Sequence, residues 1–272
     1  MHTRYIGTGN HGLGARAMRK TNFASLLLAG LVAGAMALPA QAGQRGLAFA
    51  LTGGVSYSPS YFGSDSSEFG PSGRFSFHGL RFRGFDFGER DRTAFDGPVD
   101  FEPGFGVRGA LRYIPERDAI FGIDSVDPSL ELGAGVHFTE DNWQVYTDLR
   151  YGAIGHEGVA GEAGANLFYR GESGLVLHAG PRVAFGNSRF NQTYFGVPDG
   201  ADLPAYRAGS GIISAGVEIG AYQALSNDWA VTGALRYDRL RGDAGNSPIV
   251  REGQRGQFGA EIGLQRHFNL RF

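Results

Sequence analysis

The chain has 272 residues with a formal net charge of −2 at pH 7, and it contains 45 glycines and no cysteine. The lack of cysteine excludes a disulfide scaffold, a cysteine-ligated metal site and a lipid-modified N-terminal cysteine. The weakly acidic balance argues against a nucleic-acid-binding protein.

The first predicted element is a secretory signal peptide over residues 1–42. Basic residues precede an apolar stretch at 23–38, and small residues follow it as Ala40-Gln41-Ala42, so we expect cleavage between Ala42 and Gly43. A membrane-anchor helix is the alternative, but a spanning helix needs about 20 apolar residues. Met18 begins a more usual signal sequence. The alternative is therefore that translation starts at Met18 and that residues 1–17 come from a wrongly assigned upstream start. Residues 43–272 then retain 21 basic and 27 acidic residues, a net charge of −6.

Ten segments of this remaining chain carry apolar side chains at every second position, and most of them end in Tyr, Phe or Trp. This period is that of β strands with one apolar face. The segments are Leu47–Tyr57, Phe75–Phe77, Phe105–Tyr113, Leu130–Phe138, Trp143–Tyr151, Ala163–Tyr169, Leu175–Phe185, Ile213–Ala221, Trp229–Tyr237 and Phe258–Phe272.

The connections between these segments alternate in length. Short turns are expected at 139–142, 171–173 and 225–228, and long loops at 58–72, 186–211 and 240–256. Outer-membrane barrels combine short periplasmic turns with long outer loops. We therefore predict an all-β, antiparallel, up-and-down transmembrane barrel of 10–12 strands in the outer membrane of a Gram-negative cell, with both termini periplasmic. Twelve strands require a hidden hairpin within 80–100, near Phe82, Phe85 and Phe87.

The last strand carries two signals of its own. Phe268, Leu270 and Phe272 form an alternating C-terminal pattern that is typical of barrel assembly. Arg266 lies in the same lipid-facing phase, where a charge near the bilayer midplane costs about 2–4 kcal/mol. It either reaches the interface, marks a local register change or contacts a partner protein.

The opposite phase of the strands is predicted to face the barrel lumen, and it carries charges of both signs. One interpretation is an ion-selective lumen. The other is an internal ion-pair network that fills a narrow barrel. The candidate lumen charges are Arg108, Arg112, Glu131, Asp148, Arg150, Glu162, Arg182, Glu218, Arg236 and Glu261.

No pattern of catalytic or metal-binding residues stands out. The histidines at 78, 137, 156, 178 and 267 form no spaced metal pair, and the acidic loop residues lack the spacing of a calcium loop. Ser76 and His78 are the one Ser/His pair that shares a strand face, and both are ordinary lumen residues. We expect a protein that is not an enzyme and has no metal or other cofactor.

The long loops carry distinctive motifs: YSPSYFGSD at 57–65, QTYFGV at 192–197, LPAYRAGSG at 203–211 and LRGDA…SPIV at 240–250. Together these resemble the MipA/OmpV family of outer-membrane proteins. The motif residues are Tyr57, Pro59, Tyr61, Gly63, Asp65, Gln192, Thr193, Tyr194, Phe195, Gly196, Pro204, Tyr206, Gly209, Gly242, Asp243, Ala244, Ser247 and Pro248.

The resemblance implies an outer-membrane barrel. For the founding member it further implies a scaffold that joins a murein hydrolase, the lytic transglycosylase MltA, to a murein synthase. We therefore expect a scaffold for the murein machinery, with outer-membrane lipid and lipopolysaccharide around it and no nucleic acid. A small diffusion channel and an adhesin are the alternatives. The family defines no catalytic residues.

Overall fold

The computed structural model describes residues 45–82, 85–88, 92–99 and 101–271. The predicted signal peptide with Ala40, Ala42 and Gly43 lies outside the described residues, as does Phe272.

The described residues form one antiparallel sheet of eleven strands. The strands are β1 (Gly46–Pro59), β2 (Ser67–Phe82), β3 (Phe85–Gly88), β4 (Gly104–Ile114), β5 (Ser129–Glu140), β6 (Trp143–Ile154), β7 (Val159–Arg170), β8 (Leu175–Gly186), β9 (Gly211–Ala224), β10 (Trp229–Leu240) and β11 (Gly256–Arg271). From β4 to β11 each strand pairs with the next along the chain.

The sheet curls into a nearly closed barrel because β1 also pairs with β11, from Gly46↔Arg271 to Tyr57↔Ala260. The predicted fold class is confirmed, with ten long strands. The hidden hairpin considered at 80–100 is not present as a pair of spanning strands among the described residues. β3 has only four residues and pairs only with Gly79–Phe82.

Strand β2 is longer than the sequence indicates. It begins at Ser67, so the predicted loop at 58–72 is wrong and shrinks to residues 60–66. Pro71, Gly70 and Gly73 weaken the strand pattern there, but pairing with β1 continues through all three positions. Tertiary pairing therefore overrides the weak local preference.

The outer face of the barrel is apolar. Phe105 is 87% exposed and Phe69 is 78% exposed, and aliphatic side chains such as Leu149 and Ile262 are exposed between the two ends. Aromatic pairs mark the ends: Tyr57 lies 5.0 Å from Phe69 at one end, and Phe105 lies 4.8 Å from Phe138 at the other, measured between ring centroids. An apolar band between aromatic rings is typical of a barrel in lipid.

Helices in the described residues are short, and none is long and apolar enough to cross a membrane. They are α1 (Ser188–Phe195), α2 (Gly242–Asn246) and α3 (Pro248–Glu252). All three lie in the connections of one end, which we call the cap end; it comprises the loops 60–66, 115–128, 155–158, 187–210 and 241–255. The opposite end, which we call the turn end, has the short connections 141–142, 171–174 and 225–228 and two 3-10 turns, at Ala94–Asp96 and Glu172–Gly174.

Arg266 lies on the outer face, as its phase predicts. The pairing of β11 with β1 and β10 continues through this residue without a register shift. Its guanidinium lies over two rings, 5.2 Å from the centroid of Trp229 and 5.1 Å from that of Phe268. These contacts lie near the turn end, so Arg266 belongs to the aromatic belt, where a cation over a ring is stabilised.

Candidate functional site

The ten candidate lumen charges lie on the inner face of the barrel, in the strand phase opposite to the exposed apolar residues. Arg108 and Arg112 are on β4, Glu131 on β5, Asp148 and Arg150 on β6, Glu162 on β7, Arg182 on β8, Glu218 on β9, Arg236 on β10 and Glu261 on β11. The structure brings most of them into two clusters.

The first cluster surrounds Glu131, whose side chain is 0% exposed. Arg150 Nε donates to Glu131 Oε2 at 2.9 Å, and the same guanidinium pairs with Asp148. His156 Nε2 lies 3.1 Å from Glu131 Oε1, while His156 Nδ1 accepts from the backbone N–H of Gly158 at 2.8 Å. Since Nδ1 accepts, Nε2 carries the proton and donates to the carboxylate.

The second cluster links five strands, β6 to β10, through Glu162 and Glu218. Tyr146 donates to Glu162 Oε1 at 2.6 Å, and Arg236 Nη2 lies 2.7 Å from Glu162 Oε2. Arg182 Nη2 donates to Glu218 Oε1 at 3.1 Å. His178 Nε2 lies 3.2 Å from the same oxygen. Glu162 and Glu218 therefore each have two hydrogen-bonding partners, as buried charges require.

These clusters fill the lumen along β5–β10 with paired charges. The opposite part of the inner wall, on β1, β2, β10 and β11, is lined by smaller side chains. A small recess, with room for about one water molecule, lies there against Thr52, Ser72 and Thr232. It also contacts the ion pair Arg74–Glu261, whose side chains are 55% and 35% exposed. The charge clusters thus occupy one side of the lumen, and a small recess lies on the other.

The family motifs meet one another at the cap end. Gly209 N donates to Asp243 Oδ2 at 2.7 Å, and Tyr206 donates to the carbonyl of Asp243 at 3.0 Å. Ser247 Oγ donates to the carbonyl of Phe195 at 2.7 Å, and Gln192 Oε1 accepts from Ala208 N at 3.0 Å. Loops that lie far apart in sequence are therefore joined through motif side chains.

Aromatic and aliphatic side chains form the interior of this cap. Phe62 packs against Tyr194 and Phe195, with ring centroids 5.1 and 5.7 Å apart. Tyr194 is buried, which raises the pKa of its phenol and keeps it protonated, and it donates to Ser129 Oγ at 3.0 Å. Gly63 has φ +96°, and a Cβ there would lie 2.6 Å from Val250 Cγ2. Only glycine fits at this close approach.

The motif residues thus act mainly in closing the cap. Tyr57 and Pro59 lie in the last three residues of β1. The expectation that the motif residues lie in loops is therefore wrong for these two. Tyr61, Gly63 and Asp65 lie in loop 60–66; Gln192, Thr193, Tyr194 and Phe195 lie in α1, followed by Gly196; Pro204, Tyr206 and Gly209 lie in loop 187–210; Gly242, Asp243 and Ala244 lie in α2; Ser247 caps α3, which begins at Pro248.

The family model described as MltA-interacting protein MipA matches residues 51–268. The chain belongs to the MipA family. The match covers both the strands with the paired lumen charges and all the loops that form the cap. The resemblance that the loop motifs indicate is therefore confirmed.

Among curated proteins, none matches the chain. Several solved outer-membrane proteins are similar to this MipA-family chain at low identity. Neisserial surface protein A is 8% identical, with 83% of this chain and 99% of that chain covered and a TM-score of 0.30. OprG from Pseudomonas aeruginosa is 12% identical, with coverage of 84% and 99% and a TM-score of 0.29. Similarity at this level gives no information about function.

The turn end of this MipA-family barrel has a feature that the sequence did not indicate. The segment with the 3-10 turn Ala94–Asp96 packs against the end of the lumen: Tyr222 donates to the carbonyl of Ala94 at 2.7 Å, and Ala94 N donates to the carbonyl of Asn227 at 2.7 Å. Asn269 Nδ2 donates to the carbonyl of Arg92 at 3.0 Å. The strand pattern predicts that Tyr222 faces inward, but nothing local in the sequence predicts that it bonds to Ala94.

Ser76 and His78 do not form a catalytic arrangement in the described residues. A bulge between Ala48 and Phe49 shifts the register of β1 and β2 beside His78, and no hydrogen bond joins Ser76 to it there. The imidazole of His78 instead stacks on that of His267, with centroids 5.3 Å apart. Within the same residues, no group of three or more His, Asp or Glu side chains is placed to hold a metal ion.

Proposed function

We propose that this outer-membrane barrel is a non-enzymatic scaffold that binds a lytic transglycosylase of the MltA type and, through it, the murein-synthesising machinery. The observation that carries the proposal is the paired lumen, together with the family to which the chain belongs. A lumen in which ion pairs fill the space along β5–β10 is poorly arranged to pass solutes, so the molecule offers its surfaces rather than its interior.

The turn end is the surface that a periplasmic partner would reach, since we predict both termini to be periplasmic. Phe95 and Leu225 are exposed there. The ring of Phe95 lies close to Gly174, which also lies close to Ala224, the residue before Leu225. Phe95 and Leu225 therefore belong to neighbouring connections. The exposed side chains of Glu172 and Asp228 lie in the connections 171–174 and 225–228 of the same end. Such an apolar centre with a charged rim is typical of a protein-binding surface.

Recovery of a lytic transglycosylase from crosslinked cell envelopes tests this proposal. We expect the intact protein to recover the enzyme, and Phe95→Ser or Leu225→Ser to reduce the recovery about tenfold, the effect of losing a central interface side chain. Arg189→Gln, at the exposed cap end, is the control and should leave recovery unchanged. Absence of any murein enzyme from the intact protein's crosslinked fraction would sink the scaffold proposal.

A small diffusion channel is the second candidate. The recess beside the partly exposed pair Arg74–Glu261 favours it, because this part of the lumen is not filled by the two charge clusters. The segment at Ala94–Asp96 and the cap lie across the two ends of the barrel, which weighs against an open path.

A further inference from the structure

The barrel has one line along which neighbouring strands are not hydrogen-bonded, and we call it the seam. Within the described residues, β4 pairs with β5 alone, and β2 pairs with β1 and, at its end, with β3. No ladder joins β2 to β4, although all residues of both strands are described. The order of strands therefore ends at this seam instead of closing.

Side chains hold the two strands together at the seam. A Cβ at Gly109 would lie 3.6 Å from the Cβ of Phe77 and 3.8 Å from the ring of Phe75. The backbone of Gly109 on β4 therefore lies close beside the two phenylalanine side chains of β2. Since no backbone hydrogen bond crosses here, the seam is the line along which the wall separates at least cost.

The unpaired backbone groups of the seam need a polar partner in a bilayer. Lipid tails offer none, and each unsatisfied N–H or C=O group in hydrocarbon costs several kcal/mol. Water or the headgroup of an amphiphile can supply the missing hydrogen bonds if the space behind the seam is polar. The recess at Ser72 and Arg74, on the inner face of β2, is such a space.

Arginine side chains lie on the inner faces of both strands that flank the seam. Arg108 and Arg112, on the inner face of β4, have no carboxylate within ion-pair distance among the described residues. Arg108 lies over the ring of Tyr146, at 4.3 Å from its centroid, and Arg112 over that of Phe62, at 5.6 Å. Arg74, on the facing strand, pairs with Glu261 alone. Glu131 and Asp148 compensate the charges of Arg108 and Arg112 only at longer range, because both carboxylates are already bonded to Arg150. Within the described residues, the N–H donors of Arg108 and Arg112 therefore have no carboxylate bonded to them.

We propose that the seam is a lateral entrance for an acyl-chain amphiphile with a phosphate headgroup. Its headgroup lies between Arg108, Arg112 and Arg74 and hydrogen-bonds to them, because a guanidinium binds phosphate through two parallel N–H donors. Its acyl chain lies outside, over Phe75, Phe77 and the bare surface of Gly109. The inference is independent of the scaffold proposal, since it concerns the wall and not the turn end.

Headgroup selectivity tests the arginine site. Native mass spectrometry of the full protein with phosphatidylglycerol, with phosphatidylcholine of the same chains, and with lipid A compares the adducts. We expect the phosphate-headed anionic lipids to bind about tenfold better than phosphatidylcholine, and Arg108→Gln or Arg112→Gln to remove that preference. Arg189→Gln makes the same charge change on an exposed cap residue and should keep it.

Locking the seam tests the entrance. The chain has no cysteine, so Phe77→Cys with Gly109→Cys introduces a single disulfide pair, and the Cβ separation of 3.6 Å is within the range of a disulfide. Uptake of labelled phosphatidylglycerol from vesicles should be lost in the oxidised variant and restored by dithiothreitol. Val107→Cys with Val136→Cys, a ladder pair of β4 and β5, is the control lock and should not change uptake.

A second variant keeps the test decisive if the disulfide fails to form. Phe75→Ala with Phe77→Ala removes the side chains that close the seam, so uptake should be faster than in the unmodified protein. Equal uptake by locked, reduced and widened variants would overturn the entrance. Equal binding of phosphatidylglycerol and phosphatidylcholine would overturn the headgroup site, and so would full displacement of the lipid by inorganic phosphate alone, which would mark a simple anion site.

Discussion

Glu131 is the residue on which the charge balance of the lumen depends most directly. Its two oxygens take hydrogen bonds from Arg150 and His156, and no part of its side chain reaches solvent. The alternation of the sequence predicts that Glu131 faces inward, because phase is a local property of a strand. It does not predict His156 as a partner, since that residue follows β6 in a connection and its position depends on the tertiary fold.

Removing this carboxylate should destabilise the protein strongly. Glu131→Gln leaves Arg150 buried with only Asp148 as a charged partner, and breaking a buried ion pair in this way costs about 3–5 kcal/mol. Urea unfolding of the barrel in lipid vesicles measures the loss. Glu157→Gln breaks the exposed pair with Arg189 and is the matched control, with an expected cost of at most about 1 kcal/mol. Equal effects of both changes would contradict the central role of Glu131.

The elements differ in how far they can be read from the chain. Strands such as β6 and β9 alternate without interruption and are predictable within a few residues. β2 is hidden because Gly70, Pro71 and Gly73 dilute its pattern, although it spans the barrel. The helices α2 and α3 have five residues each, too few for a helical period, and they are held by contacts with other loops. Packing between distant segments, which no local pattern encodes, decides these elements.

Ser247 is the position where one side chain decides whether α3 stays docked. Its hydroxyl is buried, donates to the carbonyl of Phe195 and accepts from Ile249 N at 3.2 Å. Ser247→Ala should therefore cost about 1–2 kcal/mol through the lost cap and an unsatisfied carbonyl.

Hydrogen exchange of residues 242–252 should report that loss as faster exchange in the cap than in the strands. Thr193→Ala, which removes an exposed hydroxyl bound to the carbonyl of Arg189 within α1, is the control. Unchanged protection of the cap in Ser247→Ala would show that the apolar contacts of Ile249 and Val250 hold α3 without the hydroxyl.

At the scale of the whole molecule, the barrel is a cylinder with three obstacles in series: the cap, the two charge clusters and the segment at the turn end. Composition and alternation predict the cylinder and leave open whether it conducts. The answer depends on which charges face one another across the lumen, and that follows from the barrel's curvature and not from the phase of any single strand.

We expect the folded protein to carry no steady ion current in a planar bilayer, because moving an ion through the lumen requires breaking several paired charges. Replacing residues 92–99 by a glycine-serine linker removes the obstacle at the turn end, and the current should remain absent if the charge clusters are the main barrier. A reproducible, ion-selective current from the unmodified protein would favour the diffusion channel and direct attention to Arg74 and Glu261.

The hydrogen bonds of loop 60–66 have a consequence for the order of events during biogenesis. Gly63 N donates to Gln257 Oε1 at 2.9 Å, across 194 residues of chain, and its carbonyl accepts from Gln254 N at 2.8 Å. The first and last hairpins are therefore clasped together at the cap. That clasp cannot form before β11 meets β1, because contacts so distant in sequence wait for the chain ends to come together. Its formation therefore reports a defined step of biogenesis. Protease resistance gained at the cap shows when β11 has paired with β1.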